Sequence, residues 1–519
     1  MRKKITLLAL SAALAAGTLA GCSSNAGTKG QADSQGKTDN KPVKLKIGIG
    51  TEGLQYIEGS PNINDDKYVK KLREISKTDV TLDLIPHREF DQKLTLLFAG
   101  GELPDLLQTH GINKPEVAPA VDTGVLIPLN ELIDKYGPNL KKNIPKESWD
   151  FAAVSKDGKI YGIPTVNATP NGTVMMVRKD WLDKLGMKPP KTVDEYIEML
   201  KAFKDKDPNG NGKADEIPYS GREKLAFTEA FFGAYDVIPA DWKFENGQLI
   251  PNMIRPAMKE ALTAHRKLYE QKLLDNEVFV QKAKDWDAKI KGQGIVGLWS
   301  HGPRLADKWA AEVKTGTPSS QLEIIPAPVG PDGKGGLSIT SAVGGSVWVI
   351  PKTTKNPENA IKFLDWFYSD EAQKFLTYGT EGEDYTVDGG KIKYKYPEKQ
   401  EDIYREEMHL VWLRMVGPSH LSDAEFMKNR PSGDLVLRAM DVAAKEGRKN
   451  DGLGMPALPT LQARPELARD GLWLELAAKI ITGKEAPEAF DKFVEDWKKR
   501  GGDQVIKEAT DWYKSTQKK

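Results

Sequence analysis

The sequence predicts an α/β protein of two lobes, with the chain passing between the lobes more than once. Two observations predict it. Strand patterns and helix patterns alternate from residue 43 onward, the order that builds a parallel sheet with helices on its faces. Later, residues 345–350 and 358–367 again read as strand then helix, as if the chain re-entered the first unit. Segments interleaved in this way give lobes joined by several strands, not two beads on one linker.

Val43 to Ile49 alternates apolar with polar or small residues and stops at glycine, a strand. Residues 65–77 place Tyr68, Val69, Leu72 and Ile75 on one helical face. Residues 80–86 read as a strand, 89–99 as a helix and 105–109 as a short strand. At residues 157–164 a turn, an apolar strand and a proline fall together, and a second unit begins after them. Residues 173–178 form a strand there, followed by a helix around 180–185. Thr192, with Glu195 three residues on, is a capping box opening a helix through Ile197, Leu200 and Phe203. The strand 345–350 ends at Pro351, and helix 358–367 aligns Ile361, Leu364 and Phe367. A helical block from 491 to about 513 closes the chain, and no repeat of fixed period is evident. The expected lobes are residues 43–164 plus about 345–395, and 165–344 plus about 396–519.

Ahead of this body lies a different kind of segment. Arg2, Lys3 and Lys4 precede an apolar stretch over residues 5–19, which ends in Leu19-Ala20-Gly21-Cys22. That is the layout of a secretory signal peptide over residues 1–21, too short and wrongly flanked to be a spanning helix. Cys22, the only cysteine, stands where a bacterial lipobox places its acylated residue, and one thiol permits no intramolecular disulfide. Acyl chains there would anchor the protein to a membrane surface. Residues 23–42 are polar and nearly devoid of apolar side chains, a tether. No later stretch approaches the roughly 18 apolar residues of a membrane span. The formal charge of +1 falls to near −2 once residues 1–21, with three cations and no acid, are removed. With charge balanced and no basic cluster, nucleic acid is not the partner.

Asp207-Pro-Asn209-Gly-Asn211-Gly212-Lys213-Ala-Asp215-Glu216 repeats side-chain oxygens at every second position, with glycine sixth. An EF-hand loop opens this way, its seventh residue offering a main-chain carbonyl to a calcium ion that takes about six to eight oxygens. The twelfth position is Pro218, which cannot ligate, so Asp215 and Glu216 must replace the usual distal glutamate.

These features together resemble one family. Residues 124–130 (Gly-Val-Leu-Ile-Pro-Leu-Asn), 157–164 (Asp-Gly-Lys-Ile-Tyr-Gly-Ile-Pro), 177–186, 190–196, 205–216, 350–352, 378–385 and 483–502 are similar to stretches of the extracellular solute-binding proteins of carbohydrate ABC importers. Within these, the chain resembles the large alginate-binding and lipoprotein subgroup. The resemblance covers the chain from about residue 43 onward. It implies a periplasmic-binding-protein-like fold of type II, two α/β lobes joined by hinge strands that close on ligand in the cleft between them. It further implies a lipid-anchored monomer outside the cell that passes a carbohydrate to ABC permease subunits. In the loop it implies a structural Ca2+ held by Asp207, Asn209, Asn211, the Lys213 carbonyl, Asp215 and Glu216.

A sugar cleft needs aromatic platforms and polar groups. Trp299, after a strand at 294–298 and before a Gly-Pro turn, is the first candidate; Trp242 lies in a Pro/Asp-rich loop. Tyr378, Glu381 and Tyr385 stand among glycines, and Trp412 lies on a segment suited to cross between lobes. Trp181, Trp366 and Trp497 read as core, Arg178 as a structural ion-pair partner, and His301 and His409 as packing residues. The alternatives are a binder of another solute such as a peptide, a calcium-dependent adhesin, or a secreted polysaccharide-degrading enzyme. Against the enzyme, no Gly-x-Ser-x-Gly elbow, His-Glu-x-x-His pair or Cys/His nucleophile set is present.

Overall fold

The computed structural model describes residues 42–166, 172–340 and 343–517. The expected signal peptide, and Cys22 with nearly all of its tether, lie outside the described residues.

Two sheets organise the chain. The first holds strands β1 (Val43–Gly50), β2 (Thr78–Ile85), β3 (Leu106–Thr109), β4 (Gly162–Val166) and β9 (Val343–Val349), in the order β2-β1-β3-β9-β4. The second holds β5 (Val174–Arg178), β6 (Ile217–Tyr219), β7 (Val296–His301) and β8 (Leu322–Ile325), in the order β8-β5-β7-β6. β1 runs parallel to β2 and β3, as the alternation of strand and helix requires, whereas β9 returns antiparallel to β3 and β4. The late strand therefore completes the first sheet. Pro164 sits within β4, where it is tolerated because β4 is an edge strand.

Each sheet is covered on both faces. Leu45, Ile47, Val80 and Trp348 pack beneath helices Lys67–Ser76 and Pro357–Trp366, while Leu107, Val347 and Val349 pack on the other side against helix Phe90–Gly100. In β5, Met175 and Val177 face one core while Val174 and Met176 face another, so all five of its residues are buried. The capping box forms: Thr192 Oγ1 accepts from Glu195 N at 3.3 Å, and Glu195 Oε2 accepts from Thr192 N at 3.1 Å. The closing helical block consists of two helices, Ala489–Trp497 and Asp503–Thr516. Gly501 turns the chain with φ of 122°, and a Cβ on Gly502 would lie 2.1 Å from the Trp497 ring.

Candidate functional site

The chain leaves the first sheet at Val166 and enters the second at Val174; it leaves the second at Ile325 and returns at Val343. Register brings these ends together within each sheet: Val343 pairs with Val166 in the first, and His301 with Val174 and Ile325 with Met175 in the second. The carboxyl ends of β1, β2 and β3 open on this side of the first sheet, and those of β6 and β7 on this side of the second. Crevices outside carboxyl ends are where open α/β sheets bind ligands. A third crossing is the π-helical turn Met408–Trp412, whose Met408 and Trp412 belong to the first sheet's core and Leu410 to the second's.

On the first lobe the crevice wall is a hydrogen-bonded set. Gln108 Oε1 accepts from Gly50 N at 2.7 Å, and its Nε2 donates to Glu52 Oε1 at 2.8 Å and to Ser346 Oγ at 2.6 Å. Trp412 Nε1 donates to the Gly50 carbonyl at 2.7 Å, so the last peptide of β1 is held from both sides. Exposed Glu52 and His87 follow on the loops.

On the second lobe the loop after β6 brings Phe227 beside the end of β7. The Phe227 ring lies nearly parallel to Trp286 (centroids 5.2 Å apart, 4°) and to His301 (5.0 Å, 16°). The Arg222 guanidinium stands 5.7 Å from the same ring. Lys224, Leu225 and Phe227 all have φ between 62° and 65°, unusual for side chains of this size. Hydrogen bonds from Arg222 N to Ala226 O, Thr228 Oγ1 to Leu225 O and Tyr219 Oη to Phe227 O hold the loop in this form. Burial, then the charges of Lys291, Arg222 and Arg304, keep the His301 imidazole neutral, its pKa down at about 4.

The Asp207–Glu216 loop lies elsewhere, after helix Val193–Asp205. Asp207, at φ 42°, accepts the backbone N–H groups of Gly210, Asn211 and Gly212. Asp215 accepts the side-chain amides of Asn209 and Asn211. Both carboxylate oxygens of Glu216 are buried and make no hydrogen bond of good geometry, with only the backbone N–H groups of Glu216 and Asn209 nearby. Burial, followed by the nearby Asp207 and Asp215, raises its pKa. A poorly satisfied buried carboxylate beside two others is what a cation would satisfy, and rotating two amides would add neutral oxygens. The residues fit the ion. Among the described residues Asp91, His110 and Glu116 also approach one another within 4.8 Å, largely exposed.

The profile of the bacterial extracellular solute-binding protein family matches residues 62–374. The chain belongs to this family. It is 27% identical to a polygalacturonan/rhamnogalacturonan-binding protein of Bacillus subtilis (strain 168) over 98% of both chains. It is 32% identical to the fructooligosaccharide ABC transporter substrate-binding protein FusA of Streptococcus pneumoniae serotype 4, across 63% of this chain and 62% of that one. Among solved structures, the S. pneumoniae FusA complex with kestose superposes with a TM-score of 0.64 at 23% identity, covering 91% and 99% of the two chains. A solute-binding protein from Bifidobacterium longum infantis does so with a TM-score of 0.68 at 18% identity, covering 91% and 98%. The two-lobed α/β fold is thus the family's, and the chain is an extracellular solute-binding protein, not an enzyme.

The structure places the expected ligand contacts unevenly in this solute-binding protein. Trp299 is wholly buried and packs with Trp309 at 5.7 Å; it is core, which corrects the expectation of a cleft platform. β7 runs on to His301, so Trp299 keeps the inward phase of the strand. Trp412 is likewise buried, its indole N–H committed to Gly50, and shapes the crevice wall from behind. Trp242 starts a hairpin strand, half-buried, with Gly452 against its ring. Tyr378, Glu381 and Tyr385 do come together: Tyr385 Oη meets Glu381 Oε2 at 3.2 Å, and the two tyrosine rings are 6.0 Å apart. Their polar atoms are engaged locally, Tyr378 donating to Asp423 at 2.7 Å and Lys374 lying 5.1 Å over the Tyr385 ring. Arg178 is buried against Asp180 at 2.6 Å, the structural pair expected. Gln108, Arg222 and Phe227 escaped the sequence reading; Ser220-Gly221-Arg222 directly after a short strand was the available signal.

Proposed function

We propose that this protein is an extracytoplasmic lipoprotein that captures an oligosaccharide between its lobes by hinge closure and hands it, unaltered, to an ABC permease. Three connections converging on one crevice, with an aromatic ring on one wall and hydrogen-bonding side chains on the other, support this reading most directly. A ligand touching both walls favours the closed form by its differential affinity. The names of the polygalacturonan/rhamnogalacturonan-binding and fructooligosaccharide-binding relatives agree with it. Titration calorimetry across oligosaccharides should give saturable heat with at least one, recovered at its original length, and scattering should show a smaller radius of gyration with that sugar. Absence of carbohydrate binding, or shortened products, would overturn the reading, and unchanged dimensions would remove closure from it.

Anchoring rests on Cys22 and the tether, and a relative 25% identical over 88% of this chain is named lipoprotein LipO. In whole cells, Cys22→Ser is expected to move the protein from the membrane fraction to the medium; retention at the membrane would refute acylation at this residue. The Asp207–Glu216 loop is proposed to hold a structural Ca2+ through Asp207, Asn209, Asn211, the Lys213 carbonyl, Asp215 and Glu216. Solved relatives are described as an alginate-binding protein without its calcium ion and a FusA EF-hand mutant. The protein is proposed to act as a monomer.

A further inference from the structure

We infer that the second lobe's wall of the crevice is a subsite for an acidic sugar ring, with Phe227 under the ring and Arg222 and Arg304 on its carboxylate. The inference rests on the sugar-binding reading above and adds the charge of the ligand to it.

The loop carrying Phe227 is built at a cost. Three non-glycine residues in four adopt left-handed backbone, each unfavourable by roughly 1 kcal/mol, and such outliers persist where surrounding contacts enforce them, often at ligand sites. Their result is a partly exposed aromatic ring beside the carboxyl end of β7, backed by Trp286 and His301. The apolar C–H face of a sugar ring stacks on such a surface.

The polar groups around that ring are mostly donors lacking acceptors. Arg222 Nε is buried without a partner, and the same side chain reaches Glu223 only at 3.7 Å. Glu223 is shared with Lys282 at 3.9 Å. Arg304 is exposed and, among the described residues, makes no hydrogen bond or ion pair; Glu407 feels its charge at longer range. His301 Nδ1 is buried and unpartnered, and its imidazole feels both arginines. Lys291 and Asp287, the other charges felt by His301, already pair at 2.9 Å. A neutral sugar would leave two guanidinium groups under-satisfied as the crevice dries, whereas a carboxylate accepts from the planar guanidinium in charge-assisted, often bidentate bonds. The neutral imidazole remains for a ring hydroxyl.

The test compares trigalacturonate with its methyl ester, which keeps the shape and removes the charge, by calorimetry on the full mature chain. The acid is expected to bind at least about tenfold more tightly, with the preference shrinking as salt rises. Arg222→Gln and Arg304→Gln should each reduce that preference, weakening binding of the acid by a larger factor than binding of the ester. Equal affinity for acid and ester, or a preference unmoved by both substitutions, overturns the inference. So does binding of neutral oligosaccharides when trigalacturonate fails to bind, with the sugar-binding reading intact; only the failure of every carbohydrate removes that reading too. Arg304 is exposed, so R304Q carries the test even if R222Q does not fold.

Discussion

Excess chelator is expected to lower the unfolding midpoint of the calcium-loaded protein by several degrees, with Glu216→Gln abolishing most of that response. The reason lies in Glu216, whose two carboxylate oxygens are buried without a hydrogen bond of good geometry, with Asp207 and Asp215 close enough to raise its pKa further. Without a cation these charges repel, and the buried carboxylate carries a poorly compensated desolvation penalty. A bound ion removes both terms, and a ligand present at about 100 times its Kd stabilises the folded state by about 2.7 kcal/mol. For a lobe of this size that corresponds to a shift of about 5–10 °C. Calorimetric scans with calcium and with chelator measure it directly. Magnesium should substitute poorly, because a loop mixing carboxylates, amides and a carbonyl suits the looser shell of calcium better than an octahedron of short bonds. Identical midpoints with calcium and with chelator would mean that no ion is held there.

The loop was readable because its ligands are contiguous. Alternating oxygens with glycine at the sixth position are a local pattern, and local patterns survive in sequence. The same holds for β1, β2 and helix Lys67–Ser76, where periodicity and burial coincide. Re-entry of β9 into the first sheet was also visible, since the segment is an apolar strand followed by an amphipathic helix. What escaped depended on contacts between distant residues. Nothing local announces that Met408–Trp412 bridges two cores, or that Gln108 ties β1 to β9. Phe227 carries no glycine signal for its left-handed backbone, because the surrounding hydrogen bonds impose it. The end of β7 misled for a related reason. The strand read over residues 294–298 runs on to His301, with Gly297 inside it, where a Cβ would meet Phe203 at 2.4 Å and Trp181 at 2.8 Å. The glycine accommodates packing, and the strand continues past Leu298.

That continuation determines what removing Trp299 does. Its ring is among the largest fully buried side chains, enclosed with Trp286, Trp309, Met176 and Ile324 between the second sheet and its covering helices. Trp299→Ala is therefore expected to cost about 3–5 kcal/mol of stability, through lost apolar burial and a cavity that rigid neighbours only partly fill. Urea unfolding followed by circular dichroism measures this, with the midpoint falling while the slope stays constant. Trp299→Phe, which keeps an aromatic ring in place, should lose appreciably less. At a temperature where the variant remains folded, its affinity for the oligosaccharide should match the parent's, because the Trp299 ring offers no accessible face to the crevice. Phe227→Ala should give the opposite result, with stability nearly retained and affinity reduced, since that ring is partly exposed beside the end of β7. A Trp299→Ala protein as stable as the parent but weaker in binding would return Trp299 to the ligand and place the crevice on the other face of the second sheet.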